Sequence, residues 1–211
     1  MAGAHENLEH AEHAEHASHT DKKIALLISV IVLFLAISET LGKSAQTLGI
    51  ELNIKASDTW NFFQAKTIRQ TSLRTAAEAL TVQVSTITDP TAKAAMEKQI
   101  AAWRATVARY ESDPQEKDGR KELRAQAEQY EHQRDLAMAR YHNYEFGSAA
   151  FQIGIVLASA AVITGMTVLV YTSMGFALFG LMFTGLGLFK PELPHDIMHW
   201  LQTLFSAGGS H

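Results

Sequence analysis

Apolar and polar positions are sharply segregated along the chain. Residues 24–38 and residues 146–189 contain no charged side chain, and charges lie almost everywhere else. The hydrocarbon core of a bilayer is about 30 Å thick, so a spanning helix needs roughly 20 mostly apolar residues. The pattern therefore predicts one transmembrane helix over residues 22–42. The second uncharged stretch is long enough for two crossings, which predicts a helical hairpin over residues 146–190.

Within this hairpin we expect spans at residues 149–171 and 174–189, joined by a short turn at residues 171–173. Small side chains recur along both spans, and such residues allow close contact between helices in lipid. They can serve packing between the two spans of one chain or contact between subunits. The small residues are Ala150, Gly154, Ala158, Ala161 and Gly165 in the first span, and Gly180, Thr184 and Gly187 in the second.

Residues 43–145 hold most of the charge and show no alternation typical of strands. Ser57 and Asp58 are candidate N-caps, which predicts a helix over residues 57–87. Asp89-Pro90 should end it, because proline is favoured at the first position of the next helix. That second helix is expected to reach about residue 110. A second break at residues 112–114 precedes a third helix that begins near residue 116 and runs toward the membrane.

The third predicted helix carries a stripe with alternating spacings of four and three residues. This spacing is typical of coiled coils, although an arginine interrupts it. An ordinary amphipathic helix packed on its neighbours explains the pattern as well. The stripe consists of Leu123, Ala127, Tyr130, Arg134, Ala137, Tyr141 and Tyr144.

Residues 191–211 are expected to form a short interfacial helix and tail, because apolar residues there alternate with a polar face. The predicted fold is thus an all-α membrane protein with three spans and a long soluble, coiled-coil-like helical insertion between spans one and two. More basic residues flank the spans on the insertion side than on the N-terminal side. The positive-inside rule therefore favours a cytoplasmic insertion.

Composition narrows the possible chemistry. The chain has no cysteine, so disulfides and thiolate metal sites are excluded. The net charge is -4, with basic residues spread along the chain, which argues against nucleic acid as a partner. No phosphate-binding loop or catalytic triad is recognisable, so we do not expect an enzyme. The N-terminus lacks the basic start and apolar run of a signal peptide, so the first span is expected to be retained.

Histidine forms two clusters. His10, His13, His16 and His19 recur every third residue in a Glu-His-Ala repeat that fills the tail at residues 1–21. Imidazole and carboxylate groups suit zinc or nickel, so weak metal binding or a response to acid is one interpretation. A solvated, flexible tail is the other, and no further cofactor is expected. His195 and His199 share one helical face, but the glutamate of zinc proteases is missing between them.

Glu39 and Lys43 lie at the end of the first span with the spacing of a helical ion pair. Glu39 can simply cap the span at the interface. Alternatively, it is a carboxylate at membrane depth, where such groups are often functional.

Two segments carry a family resemblance: AISETLGKSAQT at residues 36–47 and WNFFQAKTIRQT at residues 60–71. Together with the Glu/His-rich tail, they closely resemble a bacterial membrane family designated domain of unknown function 4337. The resemblance extends over about residues 5–190 and implies an inner membrane protein without an assigned activity. It draws attention to Glu39, Lys43, Gln64, Lys66 and Arg69.

Three functions remain open at this point. The first is a structural or scaffolding protein that assembles as a homo-oligomer in the lipid membrane. The second is an accessory subunit that docks other membrane proteins through the insertion. The third is a channel or transport accessory that responds to metal or protons. The last is the weakest, because spans two and three contain no ionisable residue, whereas ion pathways are usually lined by polar groups.

Overall fold

The computed structural model describes the backbone of residues 2–193 and the side chains of residues 22–193. This described part of the chain is α-helical and contains no strand, which confirms the all-α prediction. Its helices are α1 (Ala2–Val84), α2 (Pro90–Glu111), α3 (Arg120–Thr164) and α4 (Thr167–Phe189).

Helix α1 is continuous through the positions where we expected a new helix to begin. Ser57 and Asp58 were predicted as N-caps, but both lie inside α1, and that prediction was wrong. A serine or aspartate in a helix interior costs only a few tenths of a kcal/mol, which tertiary packing readily outweighs. Burial of Leu52 and Ala56 on the preceding turns supplies such packing.

The break between α1 and α2 is the one predicted. Asp89 caps α2, because its carboxylate accepts hydrogen bonds from the backbone N–H groups of Thr91 and Ala92, and Pro90 occupies the first turn. The break before α3 is longer than predicted. Lys117 adopts a left-handed conformation with φ 56°, and α3 begins at Arg120 rather than near residue 116.

The turn between the last two spans lies earlier than predicted. Helix α3 ends at Thr164 and α4 begins at Thr167, so residues 171–173 lie inside α4. Gly165 has φ +70°, and its N–H donates to the carbonyl of Ala161 over 2.9 Å. Glycine adopts this left-handed conformation at a helix end without steric cost. Gly165 is therefore a turn residue, and a Cβ atom added to it would meet no other described group within 4 Å.

The chain divides into two compact units. Unit 1 comprises Met1–Leu48 and Leu136–His211, and unit 2 comprises Gly49–Asp135. Three helices are long and apolar enough to cross a membrane, namely α1, α3 and α4, which indicates a membrane protein. Unit 1 exposes many large apolar side chains on these helices, as expected of surfaces that face lipid. They include Leu26, Leu33, Ile153, Val156, Leu178 and Met182.

Unit 2 is built from the C-terminal part of α1, all of α2 and the first turns of α3. Its apolar core joins Ala77 and Val84 of α1 to Ile100 of α2, with Trp103 packed beside them. Buried positions on α1 recur every seven residues, as in Ala56, Ala77 and Val84. A seven-residue period keeps one face of a helix against its neighbours over many turns.

The stripe predicted on α3 is largely buried inside the chain. Leu123 and Ala127 are buried in unit 2, and Ala137 and Tyr144 are buried in unit 1. The remaining members, Tyr130, Arg134 and Tyr141, are partly exposed. The spacing of four and three residues thus marks the face with which α3 packs within its own chain.

Candidate functional site

A buried hydroxyl cluster joins the three helices of unit 1. Ser38 of α1 is fully buried, and its hydroxyl donates to the backbone carbonyl of Tyr144 on α3 over 3.0 Å. The hydroxyl oxygens of Ser38 and of Thr184 on α4 lie 3.2 Å apart, within hydrogen-bond distance. Thr184 also bonds the carbonyl of Gly180, one turn earlier. Because buried polar groups are costly unless they are paired, this cluster specifies how α1, α3 and α4 meet.

Glycine at position 147 makes the hydroxyl cluster possible. A Cβ atom on Gly147 would lie 2.6 Å from the Thr184 hydroxyl and 3.2 Å from the Ser38 hydroxyl. Two turns further along α3, the Ser173 hydroxyl of α4 donates to the carbonyl of Gly154 over 2.7 Å. Small residues therefore allow these helices to approach closely enough for side chain to backbone hydrogen bonds.

Aromatic rings pack against other small residues in unit 1. The ring of Phe151 on α3 covers Gly180, whose added Cβ would lie 2.7 Å from it. The ring of Tyr144 fits against Gly187 in the same way. Of the small residues named from the sequence, Ala150, Ala158 and Ala161 are buried in unit 1 as well. These side chains pack inside one chain, and Gly165 is the exception.

Glu39 and Lys43 line a cavity of about 310 Å³ between α1 and α3 in unit 1. Both side chains are exposed, and the ion pairs of the described residues do not include one between Glu39 and Lys43. Instead, the amide of Gln152 donates to the Glu39 carboxylate over 3.3 Å. Glu39 therefore bonds a neighbouring helix rather than its own.

A second polar cluster, in unit 2, surrounds Lys66. Its ammonium group lies 2.6 Å from the carboxylate of Asp118, and only 7% of the Lys66 side chain is exposed. The ammonium also lies 5.3 Å from the ring centre of Phe62 and 5.4 Å from that of Tyr110. Aromatic faces attract cations at such distances. The loop before α3 is thereby bound to α1 through a largely desolvated cation.

Arg120 and Gln70 extend this cluster. The Arg120 guanidinium donates to the hydroxyl of Thr67, the amide oxygen of Gln70 and the carboxylate of Glu111. The Gln70 amide donates to Glu111 as well. That hydrogen bond, helped by the Arg120 charge, lowers the pKa of the Glu111 carboxyl below its ordinary value. The end of α2 and the start of α3 are thus both held on α1.

Nearer the other end of unit 2, the indole N–H of Trp60 donates to Glu131 of α3 over 2.9 Å. Trp60, Lys66 and Gln70 all belong to the segment at residues 60–71, and Ser38 belongs to the segment at residues 36–47. The two segments singled out from the sequence therefore contain most of the polar contacts by which α1 binds other helices; Asn53 and Thr81 supply others outside them. Gln64 and Arg69 of the second segment are exposed instead.

Both histidine clusters lie outside the residues whose side chains the structure describes. This applies to His10, His13, His16 and His19, and to His195 and His199 with the expected helix at residues 191–211. Among residues 22–193, no group of three or more His, Asp or Glu side chains is arranged to hold a metal ion. Metal binding by the histidines stays a prediction.

Sequence comparison adds a family. The family described as Domain of unknown function (DUF4337) matches residues 20–190, which include all four helices of the described structure apart from the start of α1. No curated protein and no solved structure matches the chain. The match covers most of the chain and contains both segments at residues 36–47 and 60–71. The protein therefore belongs to the DUF4337 family.

Proposed function

We propose that the protein is a non-enzymatic structural protein of the bacterial inner membrane, which assembles with copies of itself through an exposed face of α1 in unit 2. The observation that carries this proposal is an uncharged stripe on that helix, here called the neutral stripe. Its members are separated by four and three residues in turn. They are Asn61, Ala65, Ile68, Ser72, Thr75, Ala79 and Val82.

The neutral stripe lies on the side of α1 that α2 and α3 leave uncovered. Ile68 is 67% exposed and Val82 is 70% exposed, although both are large and apolar. Exposed apolar residues are common singly, but a row of them along one helix face often marks an interaction site. The spacing also fits an α-helical partner, because a repeat of seven residues keeps two helices in contact along their length.

Hydroxyl groups on or beside the neutral stripe already donate hydrogen bonds within α1, so they do not need water as an acceptor. The Ser72 hydroxyl donates to the carbonyl of Ile68 over 3.0 Å, and the neighbouring Thr71 hydroxyl donates to that of Thr67 over 2.9 Å. Because these hydroxyl protons are already bonded within α1, burying the face against another helix leaves fewer polar groups unpaired.

The charges beside the stripe favour a second copy in parallel orientation. Copies inserted by one route share their orientation in the membrane, so their α1 helices run parallel. In a parallel pair, a residue on one flank faces the residue five positions later on the other flank of its partner. Arg69 then faces Gln64 of the second copy, and Glu78 faces Gln83. Each flanking charge meets an amide that can hydrogen-bond it, and no like charges face each other.

Disulfide cross-linking tests this proposal directly, because the chain has no cysteine of its own. Single cysteines are introduced as Ile68→Cys and Thr75→Cys, with Ala94→Cys on the exposed side of α2 as the matched control. Identical stripe positions in a parallel pair approach within the Cα distance of about 4–7 Å that a disulfide needs. We expect oxidation in native membranes to produce covalent dimers of the two stripe variants and not of Ala94→Cys.

The alternative of an accessory subunit makes a different prediction. A stripe covered by another protein would give cross-links to that protein, or none, and the purified chain would be monomeric in nanodiscs. Equal cross-linking at Ile68→Cys and Ala94→Cys would reflect random collision and would contradict the proposal. We further propose that unit 2 is cytoplasmic, as the basic residues near the spans suggest. Labelling of the same cysteines with an impermeant thiol reagent in intact cells tests that orientation.

A further inference from the structure

A second cavity in unit 1 has a different character from the one beside Glu39. It encloses about 290 Å³ and is lined by α1, α3 and α4. Most of its walls are apolar, and Arg140 of α3 is the one charged residue among the described residues that line it. The other side chains that matter are Leu41, Ser44, Leu48, Tyr144 and Leu188.

Arg140 has no partner for its guanidinium within the described part of the chain. Its Nε atom is buried and makes no hydrogen bond. Among residues 22–193, no carboxylate forms an ion pair with it, whereas Arg120, Arg124 and Arg134 each have one. An unpaired buried donor is costly, and a guanidinium presents its N–H groups as a fork that fits two oxygens of a carboxylate or phosphate.

The position of the cavity along the helices indicates which anion is available. Leu41 lies at the end of the first predicted span, and Leu188 lies in the last turn of α4. The cavity is thus at the boundary between hydrocarbon and headgroups, where the phosphates of membrane lipids lie. Arginine at that depth commonly extends its charged end toward the headgroups. The leucine side chains offer an apolar surface to an acyl chain beside it.

We propose that this cavity binds the phosphate group of a membrane phospholipid, with the Arg140 guanidinium as its ligand and the leucine walls contacting the acyl chains. The described lining residues include no acidic side chain, which leaves the arginine charge available to the lipid. Phosphate recognition alone would be satisfied by free phosphate as well, so the acyl contacts distinguish the two sources.

Native mass spectrometry of the purified full chain in mild detergent tests this proposal. The protein is mixed with phosphatidylglycerol, with diacylglycerol of the same chains, or with glycerol phosphate. We expect retention of phosphatidylglycerol alone, because diacylglycerol lacks the phosphate and glycerol phosphate lacks the chains. Retention of diacylglycerol to the same extent would show that the guanidinium plays no part. Binding of glycerol phosphate as strong as that of the lipid would overturn the role of the leucine walls.

Three variants sharpen the test. Arg140→Gln should reduce phosphatidylglycerol retention about tenfold or more, since hydrogen bonds to a charged group are lost. Arg140→Lys should retain an intermediate amount, because it keeps the charge but not the fork. Lys190→Gln removes the same charge from an exposed position just after α4 and should leave retention unchanged. Equal losses in Arg140→Gln and Lys190→Gln would mean general electrostatic attraction and would refute the site.

A stability measurement separates lost binding from lost folding. In detergent without phospholipid, Arg140→Gln should melt at the wild-type temperature or above it, because the arginine has no partner to lose among residues 22–193. Added phosphatidylglycerol should then raise the melting temperature of the wild type but not of the variant. If Arg140→Gln melts well below the wild type without lipid, the arginine stabilises the fold itself. The proposal would then be wrong.

Discussion

The ion pair between Lys66 and Asp118 predicts an unequal response to removing either partner. Only 7% of the Lys66 side chain is exposed, whereas 42% of the Asp118 side chain is exposed. Water can therefore solvate the carboxylate if the ammonium is removed. It cannot solvate the ammonium to the same degree if the carboxylate is neutralised. We expect Asp118→Asn to destabilise unit 2 more than Lys66→Met does.

The magnitudes follow from the environment of each group. A buried charge that loses its partner typically costs about 3–5 kcal/mol. The faces of Phe62 and Tyr110 still attract the ammonium in Asp118→Asn, and each such contact is worth about 0.5–1 kcal/mol. A loss of about 2–3 kcal/mol remains. Lys66→Met keeps the apolar stem and leaves a hydrated carboxylate, so its cost should be at most about 1 kcal/mol.

Urea unfolding of the full chain in detergent measures this difference. Trp60 and Trp103 both lie in unit 2, so their fluorescence in a Trp200→Phe background reports on that unit. The two variants should differ by at least about 1 kcal/mol, a factor of about five in the unfolding equilibrium. Far-ultraviolet circular dichroism at zero urea checks that both remain folded. If Lys66→Met is destabilised as much as Asp118→Asn, Lys66 is not the desolvated partner and the argument fails.

Three further predictions concern other contacts. Ser38→Ala should lower stability in detergent by about 1–2 kcal/mol, because both hydroxyl bonds are lost while their partners remain bonded elsewhere; an unchanged melting temperature would contradict this. Gly180→Val should lower the free energy of unfolding by about 1–3 kcal/mol or more, because the added side chain forces the Phe151 ring to move. The control Gly175→Ala fills open space and should not destabilise the fold. Equal falls in melting temperature for the two variants would refute the packing argument. A hydrogen bond from the Ser112 hydroxyl lowers the pKa of the Glu122 carboxyl below its ordinary value of 4.5. The stability that the ionised carboxylate contributes is therefore present above the ordinary pKa and is lost as the pH falls through the folded pKa. Glu122→Gln should therefore lose less stability between neutral and acid pH than the wild type. If the free energy of unfolding, followed by tryptophan fluorescence, falls with pH equally in both proteins, this prediction is contradicted.

Much of the architecture follows from local features of the sequence. The uncharged stretches predict spans because backbone and side chains must suit lipid over a fixed thickness, whatever the partners are. Asp89-Pro90 predicts the start of α2 because capping by an aspartate and the missing N–H of proline act within one turn. The identity of the family also follows from two short segments, which the chain carries at residues 36–47 and 60–71.

Features that depend on distant neighbours were not predictable in this way. Ser57 and Asp58 are good caps in isolation, but packing on the adjoining turns keeps α1 helical through them. Gly165 was indistinguishable from the packing glycines, because its left-handed conformation is a property of the folded backbone.

The sequence by itself determined that the chain is helical, which stretches are apolar enough to span a membrane and where α2 begins, because hydrophobic transfer and helix capping act over a few residues. Only the tertiary structure decided which polar groups meet. Lys66 and Asp118 are separated by more than fifty residues, and nothing in their local sequence distinguishes a buried lysine from a solvated one. The same holds for Arg140, whose lack of a partner in the part of the chain that the structure describes depends on what three helices bring to one cavity. Desolvation and pairing are set by the whole surroundings of a group, and those surroundings exist only after the helices have packed.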